Sequence, residues 1–178
     1  ELAAKGVKSA VVITAGFDAV LKRQMLETAR GSGLRILGPN CLGLIVPPLG
    51  VNAAFAHLMP QAGGLAFVSQ SGAILTSVID WAQPQGIGFS HLISMGELGD
   101  VDFGDILDYL TDDPGTTAIL MYIEAVTHAR KFMSAARRAA RTKPVIAIKA
   151  GRHSEAAKAV ASHTGALAGA DGVYHAAF

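Results

Sequence analysis

From Leu65 to Lys149 the chain alternates short apolar runs with helix-forming stretches, and a parallel, doubly wound α/β sheet is the architecture that satisfies this alternation. Strands are expected at Leu65 to Ser69, Phe89 to Ser94, Ala118 to Glu124 and Val145 to Lys149, with helices at Gly72 to Gln83, Phe103 to Leu110 and His128 to Arg141. The strands are nearly continuous apolar runs, as they must be when helices cover both faces. Right-handed crossovers leave few topologies, and a flavodoxin-like order, 2-1-3-4, is the one expected. Ahead of this unit, Val7 to Ala15, Asp18 to Arg30 and Leu34 to Leu37 read as strand, helix and strand. That unit cannot bury both faces of its own sheet, so it reads as the tail of a larger α/β domain. Between the two, from Gly38 to Gly63, four prolines and several glycines mark a connector with little regular structure. A fifth strand would follow a helix starting near Gly169, so the sequence reads as a piece of a longer protein.

At 178 residues and 51% hydrophobic content the chain can pack a full core. Its 15 basic and 14 acidic residues nearly cancel, which argues against a nucleic acid or an anionic membrane as partner. The basic cluster from Arg137 to Lys143 closes a helix, where cations complement the macrodipole. One cysteine, Cys41, excludes an internal disulfide and a cysteine metal cluster. No apolar run reaches the roughly 20 residues of a membrane span, and a cytoplasmic protein is expected.

In an open parallel sheet, ligands bind beyond the carboxyl ends of the strands where strand order reverses. The first strand of the second unit ends in Ser69, Gln70, Ser71 and Gly72 and passes straight into a helix, so hydroxyls, free N–H groups and the positive helix end converge. Two readings fit: a phosphate cradle, or plain N-capping by serine. The third strand delivers Glu124 to the same edge, either as a carboxylate for a nearby imidazole or as a cap for the next helix. The second strand leads into Gly96 and Gly99, which permit close approach of backbone to a substrate, and Asp100 and Asp102 are candidate caps for the helix at Phe103.

His163 sits in Ser162-His163-Thr164-Gly165-Ala166-Leu167-Ala168-Gly169, a loop of small and hydroxyl-bearing residues suited to an imidazole nucleophile that takes a phosphoryl group. Gly165 lets the backbone approach a bulky anion, and about 14 residues after Lys149, at up to about 3.3 Å each, can return His163 to Glu124. The other five histidines lack metal-ligand spacing, and no metal site is expected. Trp81 and the phenylalanines fall at core-like positions. A receiver domain is rejected, because it needs acids where this chain has Ser69-Gln70-Ser71.

GPNCLG (Gly38 to Gly43), VSQSGA (Val68 to Ala73), the Glu124 strand end and SHTGALAG, in that order and spacing, resemble the ADP-forming acyl-CoA synthetases and the succinyl-CoA synthetase alpha subunit. The resemblance implies three parts: residues 1–43 as the C-terminal remnant of a Rossmann-like CoA-binding domain, 44–62 as a connector, and 63–178 as a flavodoxin-like domain. It implies a phosphohistidine at His163 supported by Glu124, with phosphate held by Ser69, Gln70, Ser71, Gly72 and Gly165. Asn40, Cys41 and Gly96 are implied at the CoA or substrate end. Coenzyme A, ATP or ADP, and Mg2+ carried by the nucleotide follow from the same family. So does an ATP-grasp domain or beta subunit as partner. Stretches such as DVDFGDILDYL (Asp100 to Leu110) also resemble modules joined to a GNAT-type protein acetyltransferase, in which the module senses an acyl-CoA or related ligand.

Overall fold

The computed structural model describes residues 1–151. The first unit consists of β1 (Ser9–Val11), α1 (Ala19–Gly31) and β2 (Arg35–Leu37), with the two strands paired in parallel. Asp18 starts α1 by accepting the Leu21 N–H at 2.8 Å, one of the donors that a first helical turn leaves without a backbone partner.

Residues 38–63 depart from the expected irregular connector. They hold a hairpin, β3 (Gly43–Val46) and β4 (Val51–Ala54), joined by a single 3-10 turn at Pro47–Leu49. Pro47 and Pro48 sit in that turn, where a fixed φ and a missing N–H cost nothing, so they do not break the strands beside them. A proline-rich composition therefore hid two strands.

The hairpin extends a six-stranded sheet formed with β5 (Ala62–Ser69), β6 (Phe89–Ser94), β7 (Ala118–Ile123) and β8 (Val145–Lys149), in the order β4-β3-β6-β5-β7-β8. The last four strands are parallel and carry the expected 2-1-3-4 order, while β3 adds to β6 antiparallel. Helix α2 (Gly72–Ala82) covers one face; α3 (Phe103–Asp112) and α4 (Ala129–Thr142) cover the other. The central strand shows why both faces must be apolar. Ala66 and Val68 pack with Leu107, Phe132 and Ala135, while Phe67 between them packs with Leu75 and Ile79.

Trp81 departs from the core position expected for it. It is 62% exposed, because Leu75, Ile79 and Ala82 already fill the inward stripe of α2. Phe55 is exposed as well, whereas Phe67, Phe89, Phe103 and Phe132 are buried.

Charged groups lock α3 to α4 and to the first unit. Buried Asp102 accepts the Gly104 and Asp105 N–H groups, and Asp105 returns a bond to the Asp102 N–H, a capping box. Lys131 of α4 reaches Asp102 at 3.0 Å and Asp105 at 2.6 Å, and His128 Nδ1 lies 2.8 Å from Asp102. Arg35 of β2 bonds Asp100 at 2.9 Å. Of the two aspartates expected as caps, Asp102 takes that role, and Asp100 instead accepts the Ile36 N–H.

His91 is buried on β6 beneath α3, with Tyr109 Oη 3.3 Å from Nε2 and Thr116 Oγ1 3.5 Å from Nδ1. Burial lowers its pKa from 6.5, against the opposing pull of the Asp113 carboxylate. The unfolded chain therefore takes up a proton at this residue before the folded one does, and stability must fall as pH drops through the unfolded value. Urea midpoints measured between about pH 8 and pH 5 should decline below about pH 6.5, and His91→Gln should flatten that part of the curve.

Candidate active site

The carboxyl ends of β5, β6, β7 and β8 lie along one edge of the sheet, and the first unit closes over part of that edge. Between them is a cavity of about 350 Å³. Its floor is the start of α2, with Gln70, Ser71, Gly72 and Ala73; its walls are Asn40, Cys41 and Leu42 on one side and Gly96 and Glu97 on another.

At the floor, the Ser71 hydroxyl accepts the Ile74 N–H at 3.3 Å and so caps α2. The buried Ser69 hydroxyl is spent locally, donating to the Ser71 carbonyl at 2.8 Å and accepting the Ser71 N–H at 3.1 Å. Ser69 thus shapes the turn from below, while Gln70, Ser71 and Gly72 face the cavity. The positive end of an eleven-residue helix opening into a cavity is a setting for an anion. Ser71→Ala should lower stability by about 1 kcal/mol through the lost cap alone. Chemical denaturation would measure this, and a change no larger than the error would remove Ser71 from the cap.

The connector wall is held by its neighbours. The Leu42 N–H donates to Ser94 Oγ at 2.9 Å, the Glu97 N–H to the Pro39 carbonyl at 2.9 Å, and the Gly99 N–H to the Gly38 carbonyl at 3.0 Å. Gly96 adopts φ 57°, and a side chain there would run into the carbonyl oxygens of Pro39 and Asn40. Its role is this contact between two walls. Cys41 lies in the cavity wall, but its thiol is turned toward the carbonyls of Val12 and Leu37, and burial pushes its pKa up. It is not a nucleophile in this setting.

Glu124 follows directly on β7, is 5% exposed and stands beside Gln70 at the same edge, outside the cavity lining. Its N–H donates to Gln70 Oε1 at 2.6 Å, and its carbonyl accepts from Lys149 Nζ at 2.8 Å. It is not the cap of α4: that helix begins at Ala129, with His128 in the N-cap position. His163 and Gly165 lie outside the described residues.

Glu97 and Lys22 were not singled out in the sequence. They form an ion pair of 2.8 Å at the cavity, and Asn40 Nδ2 lies 3.4 Å from Glu97 Oε1. The signal available for Glu97 was its place beside Gly96 at the carboxyl end of a strand. Lys22 carried none, because α1 belongs to the other unit. His57 bonds Asp80 at 2.8 Å on the surface. Among the described residues no group of acids, histidines or cysteines could hold a metal, and no helix is long and apolar enough to cross a membrane.

Fold and site together define an α/β module whose cavity opens on the start of α2, between the carboxyl ends of β5 and β6 rather than between β5 and β7, where the strand order reverses. Residues 62–178 match the succinyl-CoA ligase like flavodoxin domain, and the chain belongs to that family. It is 45% identical, over its whole length, to acetate–CoA ligase [ADP-forming] I of Archaeoglobus fulgidus, of which it covers 27%. It is 44% identical to the alpha subunit of acetate–CoA ligase [ADP-forming] I of Pyrococcus furiosus, covering 40% of that protein. The solved structure of the dinucleotide forming acetyl-coenzyme A synthetase 1 of Ca. Korarchaeum cryptofilum, in complex with phosphate and ADP, matches 99% of the chain and 39% of its own, with 39% identity and a TM-score of 0.94. The chain thus spans about a quarter to two-fifths of the length of these three relatives.

Proposed function

We propose that this chain is part of an ADP-forming acyl-CoA synthetase, which makes an acyl-CoA from a carboxylic acid, CoA and ATP through an acyl phosphate and a phosphohistidine. The observation that carries the reading is the meeting of the Asn40 wall, the α2 start and Glu124 at one sheet edge, in a chain about 45% identical to a ligase of that class.

In the proposed cycle the His163 imidazole attacks the γ-phosphorus of ATP, and the phosphorus–oxygen bond to ADP breaks. A carboxylate oxygen of the acid then attacks the phosphohistidine, giving the acyl phosphate and free imidazole. The CoA thiolate attacks the acyl carbon, and phosphate leaves. Glu124 is the carboxylate that orients the imidazole and balances its positive charge. Ser69, Gln70, Ser71 and Gly72, with Gly165, form the phosphate cradle, Ser69 by shaping its turn. Asn40, Cys41 and Gly96 border the CoA and acyl end, with Cys41 contributing wall rather than thiol. Mg2+ accompanies the nucleotide into an ATP-grasp domain or beta subunit, and the reaction is cytoplasmic. The relatives named above are ligases, which supports ligation over the ligand-sensing role beside a GNAT-type acetyltransferase.

Full-length protein given ATP alone should release about one equivalent of ADP per site, and should turn over further ADP only when CoA and a suitable short carboxylic acid are both present. Continued ADP turnover that ignores the acid, or none with any acid, would overturn the ligase reading.

A further inference from the structure

Both peptide groups of Glu124 are held by side chains from the two strands that flank β7. From the residue directly after β5, Gln70 Oε1 accepts the Glu124 N–H at 2.6 Å and the Ala125 N–H at 2.8 Å. From β8, Lys149 Nζ donates to the Glu124 carbonyl at 2.8 Å and also reaches the Ala150 carbonyl. The ladder explains the reach. The Gln70 N–H donates to the Tyr122 carbonyl, one step beyond the Ser69–Tyr122 pair, and Lys149 is the register partner of Ile123. Each side chain therefore starts beside the point where the chain leaves β7.

These bonds do more than satisfy a turn. Glu124 and Gln70 are both buried, where an amide N–H without a partner is costly, so the loop has a strong preference for the clamped backbone. Two N–H donors on one oxygen also settle the Gln70 amide orientation, with its oxygen toward the loop. The residue before the α2 cap thereby ties the anion cradle to the loop that carries the carboxylate.

We infer that Gln70 and Lys149 are positioning residues, which set the pose of the Glu124 carboxylate by clamping its backbone from both sides. The inference rests on the ligase reading for its catalytic consequence. Its structural part stands apart from that reading, and the test separates the two.

The test compares Gln70→Met, which keeps length and removes the acceptor, with Gln70→Glu, which keeps an acceptor oxygen, in full-length protein. Amide exchange at Glu124 and Ala125 should quicken at least tenfold in Gln70→Met and stay slow in Gln70→Glu. Unchanged exchange in Gln70→Met would overturn the clamp, whether or not the protein is a ligase. In turnover, Gln70→Met should lower kcat at least tenfold with KM for CoA unchanged, and Lys149→Met should lower it while Lys149→Arg restores it. Adding Lys149→Met to Glu124→Gln should cost nothing further, because Lys149 acts through Glu124. Multiplied losses in that double variant would mean that Lys149 acts independently of Glu124, and would overturn the positioning role. A wild-type protein without ligase activity would sink the functional reading while amide exchange still decided the clamp.

Discussion

Replacing His163 by alanine in the full-length protein should abolish acid-labile, base-stable phosphate label from ATP and reduce acyl-CoA formation by at least about 10³-fold. The expectation follows from the residue's chemistry: imidazole is a good nucleophile near neutral pH, and its phosphoryl adduct hydrolyses in acid but survives base. In sequence it is flanked by Ser162, Thr164 and Gly165, residue types whose hydroxyls and small size suit an anion rather than a packed core. Removing a nucleophile cannot be made up by its neighbours, so the loss should be nearly complete rather than graded. Melting temperature serves as the control, and an unchanged melt with lost label isolates chemistry from folding. Label as strong in His163→Ala as in the wild type would take the phosphoryl group off this residue.

The second large effect is expected from Glu124→Gln, which should slow turnover by roughly 10²-fold while leaving the fold in place. Glutamine keeps the volume of a side chain that is 5% exposed, and the backbone bonds to Gln70 and Lys149 do not depend on its charge. What disappears is the negative charge that, in the proposed role, orients the neutral imidazole and stabilises its cationic form. The alternative of a helix cap is removed by geometry, since α4 starts at Ala129 behind His128. Stopped-flow quenching of the phosphoenzyme is the measurement: both its formation and its decay should slow. Turnover equal to wild type would leave Glu124 as a buried structural acid.

The two sites of error in reading the fold have physical causes that differ. Pro47, Pro48 and Gly50 made residues 38–63 look irregular, yet all three sit in the turn between β3 and β4 and none interrupts a ladder. Composition averaged over a window cannot separate a proline in a turn from one in a strand. Trp81 was misplaced because large apolar side chains are usually buried, whereas its angle on α2 puts it outside the stripe of Leu75, Ile79 and Ala82.

Short apolar runs alternating with helical periodicity determined the elements from β5 to β8, and crossover handedness their expected order and the meeting of Ser69 to Gly72 with Glu124 at one edge, because apolar runs and period-3.6 patterns are local properties of the chain. Only the tertiary structure decided which atoms face the cavity. The turning inward of the Cys41 thiol, the local use of the Ser69 hydroxyl, the Lys22–Glu97 pair and the double hold on Glu124 each join residues far apart in sequence or depend on a side-chain direction. Such contacts are set by how two sheets and their helices pack against one another, and spacing along the chain does not encode that packing in any local pattern.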